Sequence, residues 1–175
     1  MAREIYLKDR QLVQIVDAAL AEAARRSGDW LVCRPGCAEC CLGPFAITQL
    51  DAIRLGKGMA ELGTHDPERA ARVRRRAHAY GGGEDEACPA LDPVAGTCDL
   101  YAARPITCRV FGPAVRVGSE AIGVCELCYH GASDAEIAAC EVEIDPGDLE
   151  SELASEAEIS TGRRGETTVA AALRT

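Results

Sequence analysis

Residues 33–41 read Cys-Arg-Pro-Gly-Cys-Ala-Glu-Cys-Cys, and this stretch, together with a second cysteine-rich segment further along, decides how the chain folds. The second segment, residues 88–111, contains Cys-Pro-x-Leu followed by Cys-x2-Tyr-x2-Arg-Pro-x2-Cys-Arg-x-Phe. Two or three residues between cysteines allow successive sulfurs to meet at one tetrahedral centre, about 2.3 Å from a zinc ion. Iron–sulfur clusters use the same all-thiolate shell. The spacing therefore predicts a soft metal without choosing which one.

Cysteine is over-represented in this chain of 175 residues, which has ten cysteines and only three histidines. Hydrophobic residues make up 47% of the chain and charged residues 27%, as in a compact soluble domain. Large core residues are scarce, because the chain has two Phe, one Trp and four Tyr, and much of its apolar content is alanine. A structural metal supplies about 10–16 kcal/mol of folding free energy at neutral pH, which would offset the thin core.

The charge pattern argues against a membrane span and against export. No uncharged run reaches the roughly 18 apolar residues of a membrane helix. Residues 1–10 carry too many charges for the apolar segment of a secretory signal. We therefore expect a cytoplasmic protein, in which clustered cysteines bind metal more often than they pair. A disulfide scaffold is the alternative, and it requires an oxidising compartment.

The two halves of the chain differ in charge. Residues 1–80 have a net charge of +3 and residues 81–175 a net charge of −12, which gives the formal −9. Such a chain is not expected to bind nucleic acid, since affinity for phosphate rests on clustered cations. Arg69, Arg72 and Arg76 share one face of a predicted helix, and we expect that face to be solvated. The alternative is docking to an acidic protein partner or to the acidic second half of the chain.

Apolar periodicity and capping residues predict five helices. Thr48 and Ser133 each precede an acidic residue at the third following position, which is the capping-box pattern. Asp66 is a predicted cap followed by a first-turn proline and an early acid. The predicted helices span residues 8–26, begin at residue 48, and span residues 66–80, 133–144 and 168–174. Brief strands are predicted at residues 114–117 and 121–124.

These elements predict a mainly α fold. We expect a small, irregular, metal-stapled domain in which helices flank a cysteine-rich loop region with few short strands. The whole chain, residues 1–175, is interpreted as a single domain. Its parts are an N-terminal helix within residues 1–30, a cysteine-cluster core over residues 33–128, and a C-terminal helix and acidic tail over residues 133–175.

The order of the anchors between residues 33 and 128 resembles the YkgJ-type cysteine-cluster family, whose CxxCxxCC domain is described as zinc- or iron-chelating. The resemblance also takes in Phe45, Thr48 and Asp51. It implies a protein that holds zinc or an iron–sulfur cluster through thiolates. A related domain occurs in a flagellin lysine methylase thought to hold an iron–sulfur cluster. The alternative implied is therefore an iron–sulfur-dependent redox or protein-modifying enzyme.

The spacing and the resemblance together indicate nine candidate ligands, with at least one site that draws on both cysteine-rich segments. The last cysteine of the family corresponds to Cys125 or Cys128, whereas Cys140 has no counterpart and its role is left open. The candidate metal ligands are Cys33, Cys37, Cys40, Cys41, Cys88, Cys98, Cys108, Cys125 and Cys128.

The adjacent cysteines Cys40 and Cys41 raise a question of geometry, because neighbouring side chains tend to point apart. We interpret one of them as joining Cys33 and Cys37, and the other as reaching a different centre or the second segment.

Three polar residues among the cysteines are candidates for a supporting role around the cofactor. Tyr101, Arg104 and Arg109 could donate toward sulfur and offset the negative charge of a thiolate centre. The alternative is that Arg104 pairs with a carboxylate and that Tyr101 fills the core.

Other cysteine chemistries fit less well. Cys33, Cys37 and Cys40 have the radical-SAM spacing, but the chain lacks the strand–helix series of that fold. Cys125 and Cys128 have the spacing of a c-type haem site, but the following histidine comes one residue too late for that motif. A thioredoxin-like redox pair is also disfavoured, because the chain lacks the βαβ context of that motif. The sequence leaves catalysis open. Eight sulfur ligands would fill two closed four-thiolate sites, which favours binding.

Overall fold

The computed structural model describes residues 2–117, 124–125, 127–144 and 149–174, and these residues form a mainly helical chain with short strands. The prediction of a mainly α fold is therefore confirmed. The helices are α1 (Ala2–Ser27), α2 (Gln49–His65), α3 (Pro67–Ala79), α4 (Ile106–Arg109), α5 (Asp134–Cys140), α6 (Leu149–Thr161) and α7 (Val169–Leu173). The strands are β1 (Ala46–Ile47), β2 (Leu91–Asp92), β3 (Thr97–Cys98), β4 (Val115–Val117), β5 (Val142–Ile144) and β6 (Thr167–Thr168).

The predicted helix caps are confirmed by hydrogen bonds. The Thr48 side chain accepts from the backbone N–H of Asp51 at the start of α2, and Asp66 caps α3 in the same way. Ser133 and Glu136 form both bonds of the capping box at the start of α5. Each of these side chains satisfies an N–H group that the helix itself leaves without a partner.

Two element boundaries and one additional helix differ from the prediction. Helix α1 begins at Ala2, six residues before the predicted start. Helix α5 ends at Cys140, and the helix predicted to reach residue 144 is wrong, because Val142–Ile144 pairs with Val115–Val117 as a parallel ladder. β-Branched side chains fit a pleated ladder better than a helix once a partner strand is present. Helix α6 lies in the segment interpreted as an acidic tail.

Two sequence predictions fall partly on residues that the structure does not describe. The predicted strand at residues 121–124 includes residues 121–123, and the helix stop at Pro146 also lies outside the described residues. The predicted strand at residues 114–117 is observed as β4. Among the described residues, no helix is both long and apolar enough to cross a membrane.

The chain divides into two compact units. The first unit consists of Met1–Arg34 and Ile106–Glu156, and the second unit of Pro35–Pro105 and Ala157–Thr175. Five of the ten cysteines belong to each unit. Those of the first unit are Cys33, Cys108, Cys125, Cys128 and Cys140, and those of the second are Cys37, Cys40, Cys41, Cys88 and Cys98.

In the second unit, α2, α3 and α7 pack together around a small apolar core. Leu55, Val73 and Leu173, one from each helix, are almost fully buried. The antiparallel pair of β1 and β6 joins the start of α2 to the start of α7. Cys88 and Cys98 pack against this core, so the loops that carry them lie against the three helices.

In the first unit, α1 packs against α4, α5 and β5. Leu12, Val16 and Ala23 of α1 are buried, as their three- and four-residue spacing predicts. A second apolar cluster contains Ala114, Cys128, Tyr129 and Cys140. Strand β5 contacts α1 and pairs with β4 in a parallel ladder.

Two glycines of α2 differ in the space around them, so replacing each by alanine should have opposite effects on stability. A Cβ at Gly58 would lie 2.4 Å from the Cβ of Ala103, whereas a Cβ at Gly56 would meet nothing within 4 Å. We expect Gly58→Ala to lower the free energy of unfolding by about 1–3 kcal/mol through overpacking. Gly56→Ala should raise it by up to about 1 kcal/mol, because alanine favours a helix.

Urea unfolding of both variants beside the parent protein measures the two effects. Equal effects of the two substitutions would contradict a specific contact between Gly58 and the turn at Ala103.

Candidate metal centre

Backbone hydrogen bonds bring three cysteines of the second unit together. The backbone N–H of Cys88 donates to the carbonyl of Cys41 at 2.7 Å, so the two cysteine-rich segments run side by side. Cys98 lies on β3 opposite Leu91 of β2, and Leu91 N–H donates to the Cys88 carbonyl at 2.9 Å. The positions of Cys41, Cys88 and Cys98 are thus set by the main chain.

A buried ion-pair network holds the segment that carries Cys98. The Asp99 side chain is 0% exposed, and it accepts hydrogen bonds from Arg69 and Arg76 of α3. Arg76 also donates from Nε to the Pro89 carbonyl at 2.8 Å. The solvated arginine face is therefore wrong for Arg69 and Arg76, because both dock on an acid from the second half of the sequence. The alternative of docking within the chain describes these two residues.

Cys40 and Cys41 contact each other instead of pointing apart. The Cys41 thiol donates a hydrogen bond to the Cys40 sulfur, and this bond lowers the pKa of Cys40 to about 6. The same bond, followed by burial and by the negative charges of Cys40, Cys88 and Cys98, raises the pKa of Cys41. The charges of Cys40, Cys88 and Cys98 all act on Cys41, which places these sulfurs in the neighbourhood of Cys41.

The other two sulfurs of this group are buried and receive backbone donors. Burial raises the pKa of Cys88 to about 11, while backbone N–H groups of Ala90 and Leu91 act against that shift. Burial likewise raises the pKa of Cys98, opposed by the N–H of Leu100. N–H groups two or three residues after a cysteine stabilise its thiolate form.

Of the three residues predicted to support the centre, Arg104 is the one whose charge acts on cysteines of the second unit. Its positive charge acts to lower the pKa of both Cys40 and Cys98. The guanidinium stacks on the Tyr101 ring, 3.7 Å from the centroid, and its Nε donates to the Tyr101 carbonyl at 3.2 Å. Tyr101 is 62% exposed, so the alternative in which it fills the core is wrong.

A buried ion pair on α2 positions the Arg104 segment. Arg54 pairs with Asp51, and both side chains are less than 10% exposed. Arg54 also donates to the carbonyl oxygen of Arg104 at 3.4 Å. Asp51, an anchor of the family resemblance, therefore acts through Arg54 on the segment that faces the cysteines.

Tyr80 is a residue of this neighbourhood that the sequence pattern did not reveal. Its side chain is 8% exposed, and its hydroxyl has no hydrogen-bond partner among the described residues. Burial, followed by the charges of Glu86 and Cys88, raises the pKa of Tyr80. A buried tyrosine with no partner is unusual, and nothing in the local sequence distinguishes it from an ordinary helix-ending aromatic.

In the first unit, the structure brings Cys33 and Cys128 together. Their sulfurs are 3.6 Å apart, although the residues are separated by 95 positions in the chain. Cys128 is buried and Cys33 is exposed. Cys125 is half-buried and packs against the same apolar cluster as Cys128.

Two other predicted or open positions of the first unit have defined partners. Arg109, a candidate for a supporting role, is buried and donates to Asp17 of α1 at 2.7 Å. The Cys140 thiol donates to the Arg26 carbonyl at 3.4 Å. Cys108 lies on α4. Within residues 2–117, 124–125, 127–144 and 149–174, no group of three or more Cys, His, Asp or Glu side chains is arranged to hold a metal ion.

The comparison with known proteins identifies one family. The sequence model of the CxxCxxCC family, described as "Putative zinc- or iron-chelating domain", matches residues 32–140. That range is more than half of the chain and contains all ten cysteines. No curated protein and no solved structure matches.

Tyr80 and Tyr129 form a matched pair for a test of the buried hydroxyl. Tyr80→Phe removes a buried hydroxyl that has no partner, so we expect the reduced, metal-stripped protein to gain about 1–3 kcal/mol in free energy of unfolding. The Tyr129 hydroxyl bonds to Ser27 and accepts from the Ala114 N–H at 2.7 Å. Tyr129→Phe should therefore destabilise by a similar amount.

The measurement is urea unfolding of both variants under the same reducing, chelating conditions. Loss of stability in Tyr80→Phe would show that its hydroxyl has a partner after all.

Proposed function

The chain belongs to the CxxCxxCC family, and on that premise we propose that it is a metal-binding protein that holds zinc or an iron–sulfur cluster through thiolates of its second unit. The proposed ligands are Cys40, Cys41, Cys88 and Cys98. The observation that carries the proposal is their common neighbourhood on backbone segments joined by hydrogen bonds. Cys37, exposed in the same unit, remains a predicted ligand without a position in this group.

The donor set fits a soft metal. Four sulfurs complete the tetrahedral shell of zinc or the ligand set of a cubane cluster. A bound metal supplies the positive charge that lets thiols with raised pKa values, such as Cys88 and Cys98, remain deprotonated. The group is therefore poorly suited to four free thiolates and well suited to four metal-bound ones.

The chain's own residues would contribute orientation and charge balance. The N–H groups of Ala90, Leu91 and Leu100 donate toward Cys88 and Cys98. Arg104 places a positive charge near Cys40 and Cys98, which offsets part of the excess negative charge of a four-thiolate centre. Both effects hold the sulfurs in their charged form without taking a coordination position.

Four protein sulfurs leave no open position on a tetrahedral ion. This count favours a closed centre that stabilises the fold or holds the metal. The enzyme alternative, an iron–sulfur-dependent redox or modifying activity, requires an iron with an open position, and the second-unit group with four sulfurs does not favour it.

Anaerobic purification of the full chain, followed by an absorption spectrum and metal analysis of the same sample, tests the proposal. We expect stoichiometric metal: a brown protein with iron and sulfide, or a colourless protein with zinc. Cys88→Ser and Cys98→Ser should each lose the metal of the second unit, because a serine oxygen is a poor ligand for a soft metal.

Cys140→Ser is the matched control, since a serine hydroxyl can keep the hydrogen bond to the Arg26 carbonyl. It should retain all the metal. A reduced, folded protein that binds neither zinc nor iron would overturn the proposal. Metal content unchanged by Cys88→Ser and Cys98→Ser would overturn the ligand assignment.

A further inference from the structure

We propose that the first unit carries a second thiolate centre, built on Cys33 and Cys128, for the same class of soft metal. The inference rests on the proposed metal-binding function and deepens it by dividing the cysteines between two centres. The first cysteine-rich segment would then serve both, with Cys33 at one centre and Cys40 and Cys41 at the other.

The sulfur separation is the first argument. Four sulfurs arranged tetrahedrally at about 2.3 Å from a zinc ion are about 3.8 Å from one another. The observed distance between the Cys33 and Cys128 sulfurs is 3.6 Å. A disulfide would bring the same atoms to about 2.05 Å. The pair therefore has the spacing of two ligands of one metal ion.

The backbone around Cys128 is held in an unusual conformation, which is the second argument. Tyr129 has φ 61°, the one non-glycine residue with positive φ in the described part of the chain. A tyrosine in this region is strained, and the strain persists only where the surroundings fix it. Here the Tyr129 N–H donates to the Trp30 carbonyl at 3.1 Å, and its hydroxyl bonds to Ser27. These contacts tie Cys128 to the chain just before Cys33.

A glycine keeps room for the Cys33 sulfur. Gly112 has φ 115°, and a Cβ built on it would lie 3.0 Å from the sulfur of Cys33. Both the conformation and the space therefore require glycine at this position. The close approach of the backbone leaves the Cys33 sulfur beside Cys128.

The remaining ligands come from the same unit. Cys125 precedes Cys128 with the two-residue spacing of metal-binding pairs, and it packs against the same cluster. Cys108 on α4 is the proposed fourth ligand. Cys140 is left out of the centre, because its thiol already donates to the Arg26 carbonyl.

Entry of a metal is compatible with the exposure of the pair. Cys33 is exposed and Cys128 is 2% exposed, so an ion could bind first at the outer sulfur and then at the inner one. A dithiol at this distance could instead be oxidised to a disulfide, and the test below is designed to detect that outcome.

Cobalt titration of the reduced, metal-stripped full chain under anaerobic conditions tests the proposal. Co²⁺ is the probe, because thiolate coordination produces sulfur-to-cobalt absorption that can be counted per chain. We expect two equivalents in the parent protein. Cys33→Ser and Cys128→Ser should each reduce the count to one, as should Cys88→Ser through the other unit.

Combining Cys33→Ser with Cys88→Ser should abolish the thiolate–cobalt absorption, and Cys140→Ser should retain two equivalents. Cys33→Ser is the more secure variant, because the exposed residue can change without disturbing the core, and far-ultraviolet circular dichroism checks the fold of each protein.

Two results would overturn this inference while leaving the proposed function intact. One is a single equivalent that survives Cys33→Ser and Cys128→Ser but not Cys88→Ser. The other is a Cys33–Cys128 disulfide, found by mass spectrometry after anaerobic purification, with cobalt bound only through the second unit. Absence of thiolate–cobalt absorption in every folded variant would instead overturn both proposals.

Discussion

The second unit depends on the burial of one carboxylate. The Asp99 side chain is fully inaccessible to solvent, and an unpaired carboxylate in that position would carry a penalty of several kcal/mol. Arg69 and Arg76 supply its partners from α3, so the helix is fixed against the turn after β3 that carries the acid. Because Asp99 follows Cys98 directly, the same ion pairs set the position of a proposed ligand. Stability of the fold and geometry of the sulfurs are therefore linked through one residue.

Main-chain groups extend this constraint to the other sulfurs. The hydrogen bond from Cys88 N–H to the Cys41 carbonyl joins two loops that lie far apart in the sequence. In the first unit, the hydrogen bonds of Tyr129 to Trp30 and Ser27 hold the neighbouring Cys128 in place, and the absence of a Cβ at Gly112 leaves room for the Cys33 sulfur. In both units the sulfurs are positioned by contacts that no metal has to provide. Contacts within the protein would thus bring the proposed ligands together, and a bound metal would add its own binding energy.

The helix caps could be predicted from the sequence, because they depend on interactions between neighbouring residues. The caps at Thr48, Asp66 and Ser133 act within a single turn, so their hydrogen bonds follow from neighbouring residues alone. The sequence predicts a helix through residue 144, but Val142–Ile144 is a strand, because its conformation depends on β4, which lies earlier in the chain. The sequence does not predict helix α6, at residues 149–161, because the apolar residues of this helix do not form a clear stripe along one face.

Composition, spacing and capping are properties of short segments, so they suffice to predict that this chain is helical, rich in cysteine and suited to a soft metal. Which sulfurs meet depends on contacts between residues that are distant in the sequence. Cys41 lies with Cys88 and Cys98, and Cys33 lies with Cys128, through loop closures and ion pairs between distant residues. The spacing of the cysteines in the sequence indicates which sulfurs could reach one centre. The choice among them depends on burial and backbone pairing, which exist only once the chain has folded.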